Sequence, residues 1–307
     1  GFIFGRGFSR SIDFTGGRNF VVVFENTVQP EAVRTVLADA FPESNTTAIA
    51  IGTDGKTIRI STNYRISEEG VEVDTEIEKT LFQSLQQAGL LAADLNHETF
   101  INRDVRDGGS IISSQKVGPS VAEDITNGAM ISVGLAFLAI FLYILLRFRN
   151  WAFSWGAIIA LAVDIIAILG VYAIMWGFVP FSLEIDQTFI GAILTAVGYS
   201  INDKVVVFDR IRENLGLYPK RDRQLLFNES LNSTLNRTIN TSVSTFIVLA
   251  VIFVIGLFFK GADSIISFSF AMILGVVCGT FTSMFIAAPV AFIVMGKTIK
   301  ETDEVKK

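Results

Sequence analysis

Asp203 and Arg237 are the residues of this sequence whose types and surroundings point most directly to chemistry. Asp203 lies in the inner half of one long apolar stretch, and Arg237 stands at the entrance of the next. An ionisable group in such a stretch is expensive at the centre of a bilayer, by at least about 2.5 kcal/mol on insertion scales, so it marks a functional site by default. The two are expected at similar depth and can pair. Desolvation favours the neutral carboxyl and a nearby guanidinium the charged one, so a small movement of the cation switches whether the acid holds a proton. A proton crossing about 100 mV releases about 2.3 kcal/mol, enough to bias a conformational equilibrium more than tenfold. Asp164, near the middle of another apolar stretch, is a third candidate, as a relay or a hydrogen-bonded helix contact. Ser200, Asn202 and Asn240 add a polar lining. A static Asp203–Arg237 bridge that only fixes packing is the competing reading.

Five apolar stretches carry these groups: 128–146, 151–176, 188–208, 238–259 and 264–296. Each is long enough to cross a hydrocarbon core, which takes about 20 residues of helix. The last needs tilt or an interfacial start, and Pro289 can kink it. Its small residues Ala271, Gly275, Gly279, Ser283 and Ala287 recur every fourth position and predict a close helix contact. With 50% hydrophobic and 18% charged residues, the 307-residue chain is unlike a plain soluble enzyme. Eleven Lys and Arg follow the first, third and fifth stretches, against Lys260 alone in the two intervening loops, which places those ends in the cytoplasm.

Residues 1–127 carry 11 Lys and Arg against 18 Asp and Glu, an acidic balance that argues against nucleic acid as a partner. This part then faces outward. The alternation of period-2 and 3.6-period segments predicts β-α-β-β-α-β, the order of a ferredoxin-like fold. Strands are expected at 18–25, 47–51, 57–62, 97–102 and 110–116, with helices at 30–41 and 74–88. The 47–62 hairpin turns at Asp54-Gly55. The acidic run 68–78 reads as a solvated helix face. His97 is the single histidine and Cys278 the single cysteine, so no metal site, intrachain disulfide or imidazole relay is expected. No nucleophile, base and orienting group can be assembled, which argues against an enzyme acting on covalent bonds. Gly16 and Gly17 lack a following Gly-Lys-Ser/Thr, so they are expected to form a turn leading into the first strand and not a phosphate loop.

The residues IDFTGG at 12–17, GYSINDKVVVFDRIREN at 198–214 and LNRTINTS at 235–242 resemble the SecF half of the bacterial SecDF translocation motor, of the resistance-nodulation-division superfamily. The likeness covers nearly the whole chain. It implies a polytopic α-helical membrane protein with an external α+β domain, in the bacterial inner membrane. It implies use of the proton gradient, H⁺ or Na⁺ being the ion, to help unfolded preproteins leave the SecYEG channel. SecD, separate or fused upstream, is the implied partner, and no cofactor is implied. Asp203 and Arg237 match the residues linked to proton passage, Asp164 a recurrent membrane aspartate, and Asp13, Gly16 and Gly17 the family motif. Residues 1–11 then read as the stub of a missing first span, 12–119 as the periplasmic domain, 120–297 as the five-helix membrane domain and 298–307 as a cytoplasmic tail. On this reading the chain is a fragment or a processed product. Lys204 stands where the family often has a small hydroxyl residue. Reaching the cytoplasmic surface and competing with Arg237 for Asp203 are the two positions open to it. A non-conducting adaptor of the translocon and a small-molecule exporter of the same superfamily are the alternative functions.

Overall fold

The structure, a computed structural model, describes residues 11–51, 55–68, 70–102, 109–176, 178–179, 181, 183–258 and 263–304. Residues 1–10 of the expected stub, Asp54 of the hairpin turn, and Lys260 lie outside these residues.

A short helix α1 (Ile12–Thr15) leads into β1 (Gly17–Val23), α2 (Pro30–Ala40), β2 (Thr47–Ile51), β3 (Thr57–Thr62), α3 (Val71–Gln87), α4 (His97–Ile101) and β4 (Ser110–Val117). The four strands form one antiparallel sheet in the order β2-β3-β1-β4. That order, with one helix after β1 and another after β3, is the ferredoxin-like arrangement expected from the periodicity. Pro30 starts α2 where its missing N–H costs nothing. Val33 and Leu37 of α2 and Ile77, Leu81, Phe82 and Leu85 of α3 are buried against Phe20, Val22, Ile58 and Ile60 of the sheet.

One expected strand is not there. Residues 97–101 are a helix, and Phe100 is buried in the core. Five residues are too few for periodicity to separate strand from helix, and packing of Phe100 on Phe82, 5.2 Å between ring centroids, favours the helix. The His97 ring meets Phe82 edge-on at 5.5 Å, a packing contact.

The second half is helical: α5 (Pro119–Phe148), α6 (Trp151–Met175), α7 (Gln187–Leu217), α8 (Arg223–Phe258), α9 (Asp263–Thr282), a π-helical turn at Ser283–Ala287, and α10 (Ala288–Glu304). Among the described residues, five spans able to cross a membrane result, because 264–296 runs through the π turn as one. Pro289 explains the turn: proline has no N–H for the preceding carbonyls, and widening the helix just ahead of it relieves the clash of its ring. The 36 residues of α8 extend about 54 Å, well beyond a core of about 30 Å, so its polar start from Arg223 projects from the apolar layer.

Two apolar clusters fill the bundle. One holds Leu161, Ile168, Tyr172, Phe189 and Val197, at the end near the α+β domain. The other holds Phe148, Phe153, Val207, Phe208 and Ala291, at the opposite end. Lys204 falls at their junction along α7, and Asp164 lies just past the junction on α6, between Leu161 and Ile168 of the first cluster.

Candidate functional site

The polar layer between the clusters is built on a four-residue repeat of α7, which puts Ala196, Ser200 and Lys204 on one face. That face lies against the small-residue strip of the last span. The approach is close at Gly275, where a Cβ would run into Ala196, and at Gly279, where it would come within 2.6 Å of Ser200 Oγ. The hydroxyl of Ser200 donates to Asp164 Oδ2 at 2.7 Å, and Thr282 Oγ1 donates to Asp164 Oδ1 at 2.6 Å. Lys204 Nζ donates to Asp164 Oδ2 at 3.0 Å, to Thr282 Oγ1 at 3.2 Å, and to Ser200 Oγ. The side chains of Lys204 and Asp164 are 0% and 3% exposed, so this is a fully desolvated ion pair.

Asp203, the next residue back, is also buried, at 3% exposure. It faces α8, beside Ser242, and its Oδ2 has no hydrogen-bond partner. Ser242 shares a 2.6 Å hydrogen bond with Thr280 of α9. Thr238, one turn from Ser242 on α8, is buried with its hydroxyl unpartnered. The expected Asp203–Arg237 ion pair is not formed in this structure. Arg237 is exposed and lines an open groove of about 530 Å³ between α7 and α8, together with Asn202, Asp209, Arg210 and Glu213. Asn240 is exposed, and its carbonyl accepts the Ser244 hydroxyl. Lys204 takes neither position open to it: its ammonium turns to Asp164, on α6.

Sequence reasoning passed over Thr282 and Ser242. The available signal was the Ser200–Lys204 spacing opposite Asp164, which offers two donors one turn apart to a single carboxylate.

The motif at 12–17 has a positional role. Gly16 ends α1 at φ +69°, and Gly17 follows at φ +153°, where a Cβ would meet Ile12 Cγ2 at 2.8 Å and the Thr62 carbonyl at 2.9 Å. This is the turn into the first strand. Asp13 reaches further: its Oδ2 accepts the backbone N–H of Gln187 at 3.1 Å, at the start of α7. The Ser11 N–H donates to the Ile185 carbonyl at 3.0 Å. Asp186 caps the same helix by accepting the Phe189 N–H at 2.6 Å. Burial pushes the Asp186 carboxyl above the usual range, the Phe189 N–H opposes this, and the neighbouring Asp13 adds to it. Arg59 of β3 pairs with Glu184 at 3.2 Å, both largely buried. The sheet and the 12–17 motif are thereby fastened to the residues that open α7.

A ferredoxin-like domain fastened to five apolar helices with a charged layer at mid-depth defines a multi-pass membrane protein of transport type. Residues 99–297 match the SecD/SecF C-terminal family of protein export membrane proteins, and residues 1–28 match the SecD/SecF GG motif. The chain belongs to this family, on the SecF side. It is 37% identical to protein translocase subunit SecF of Rhodothermus marinus over 288 residues, 93% of this chain and 83% of that one. With the SecF subunit of Haemophilus influenzae it shares 33% identity over 99% of this chain and 84% of that one. The crystal structure of SecDF, a translocon-associated membrane protein, from Thermus thermophilus superposes with a TM-score of 0.74 at 30% identity. That match covers 97% of this chain but 36% of the SecDF chain, so the chain spans about a third of that protein's length.

Proposed function

We propose that the chain is the ion-coupling SecF half of a motor that uses the proton gradient to draw unfolded preprotein out of the SecYEG channel, acting with SecD. It sits in the bacterial inner membrane, with residues 12–119 periplasmic and the C-terminus cytoplasmic. It changes conformation and no covalent bond. The observation that carries this reading is Asp203: a carboxyl buried between α7 and α8, with one oxygen lacking any donor and no ion pair to Arg237. A buried polar atom without a partner calls for an explanation, and taking up a proton removes an uncompensated buried charge. Arg237, held apart in the open α7–α8 groove, supplies the cation whose approach would favour the charged form. Asp164 belongs to the same polar layer and tunes it through Lys204.

The static-bridge form of the adaptor reading needs an Asp203–Arg237 pair, and these two residues are apart. The exporter reading needs a large apolar pocket in the α+β domain. The pocket described there is about 260 Å³ and is lined by Arg18, Asp74, Glu78 and Lys116.

The test is proton-dependent preprotein translocation into inverted membrane vesicles carrying the assembled complex. Asp203→Asn is expected to abolish the part driven by the proton gradient while the complex still assembles. Undiminished gradient-driven translocation by that variant would refute the proposal.

A further inference from the structure

Three oxygens from three helices converge on the Lys204 ammonium: Asp164 Oδ2 on α6, Ser200 Oγ on α7 and Thr282 Oγ1 at the end of α9, while Asp164 Oδ1 accepts the Thr282 hydroxyl. Each hydroxyl points its hydrogen at the carboxylate and its lone pairs at the nitrogen, 3.2 Å away in the case of Thr282. This is how hydroxyls coordinate a hard cation. Oxygen donors with one negative charge among them suit a small monovalent ion better than a soft or divalent metal.

The surroundings hold the oxygens in place. Gly279 lets Ser200 come up to the last span, and the π turn begins directly after Thr282. The ammonium that fills the space is a compact point charge on a flexible stem, fully buried. Being tethered, it has an effective concentration that a free ion cannot match.

We propose that Lys204 is a built-in cation occupying what is otherwise a sodium-type site, and that it thereby determines which ion the membrane domain responds to. With the cage filled from within the chain, free Na⁺ has no place there, and the carboxyl left for exchange with the outside is Asp203. The significance of this for transport rests on the ion-coupling reading above. The existence of the cage does not.

The experiment uses the purified full chain in lipid nanodiscs, with thermal unfolding followed in NaCl and in choline chloride at equal ionic strength. The native chain is expected to unfold at the same temperature in both. Lys204→Ser is expected to gain a saturable rise of about 3–5 °C in NaCl. Asp164→Asn combined with Lys204→Ser, which removes the negative charge of the cage, is expected to lose that rise. A Na⁺ response of the native chain equal to that of Lys204→Ser overturns the proposal. So does a Lys204→Ser variant that unfolds at one temperature in both salts, or one that fails to fold in either. Because translocation is not measured, failure here leaves the Asp203→Asn result untouched, and the reverse also holds.

Discussion

Asp203 and Lys204 are neighbours in sequence, yet they serve opposite flanks of α7. Lys204 bonds to Asp164 of α6 and Thr282 of the last span, while Asp203 turns to Ser242 of α8. Successive residues of a helix are about 100° apart, so one turn of α7 supplies both a closed ion pair and an open acid. The first is satisfied in every direction; the second lacks a donor for Oδ2.

The closed pair predicts unequal effects of single and double changes. Asp164→Asn leaves a fully buried ammonium without its counter-charge and is expected to cost about 3–5 kcal/mol. Combining it with Lys204→Met removes both charges and is expected to recover most of that loss, because a buried pair is often replaceable by apolar groups. Thermal unfolding of the two variants measures the difference. Equal destabilisation by the single and the double change would count against the pair as drawn.

Gly279→Ala presses a methyl into the Ser200 hydroxyl and should loosen the contact between α7 and the last span, at a cost of about 1–3 kcal/mol. Gly191→Ala, on the same α7 but with open space around it, is the control. It should be neutral or slightly stabilising, as alanine is the better helix former by about 1 kcal/mol. The two unfolding temperatures should therefore move in opposite directions or differ clearly.

In the α+β domain, Arg18 is buried and donates to Asp74 at 2.7 Å and to the Tyr64 carbonyl at 2.9 Å, while Lys116 reaches the same carboxylate at 3.0 Å. Burial acts to raise the Asp74 carboxyl, but hydrogen bonds from Arg18 and Lys116 outweigh it and hold the group below the usual range. A carboxyl lowered in the folded state contributes stability that is present above its unfolded value and is lost as pH falls through the folded one. Stability is thus expected to drop below about pH 4. Asp74→Asn should flatten that drop and lower stability at pH 7 by about 1–2 kcal/mol, discounted because Asp74 is 39% exposed. Unfolding followed at a series of pH values reads both effects.

Gly17→Ala is expected to cost about 2–3 kcal/mol. A side chain there is strained by the φ of +153° and collides with Ile12 and the Thr62 carbonyl. Unfolding temperature measures the cost. A neutral result would contradict the turn geometry.

Much of this architecture was legible in the sequence because it follows from composition and period. Apolar runs of helix-spanning length with few or no charges mark the spans, and alternating apolar residues with a Pro-started helix mark the α+β unit. What was not legible depends on where a helix face points. Spacing set Asp203 and Arg237 at comparable depth, but the azimuth of each helix decides partners, and it gave Lys204 to Asp164. The 97–101 segment failed for a related reason: its five residues fit two periods, and only the position of Phe82 chooses between them. The role of Asp13 at the start of α7 was likewise out of reach, since it joins residues 174 apart in sequence.

The attachment of the 12–17 motif and β3 to residues 184–187 has a mechanical consequence. The 31 residues of α7 make a rod about 46 Å long, with the sheet bolted to one end and the charged layer part-way down its shaft. Pivoting such a rod by about 10° about its far tip would carry Asp203, about 21 Å from that tip, sideways by about 4 Å and the bolted end by about 8 Å, so that a shift beside the buried acid arrives roughly doubled at the sheet.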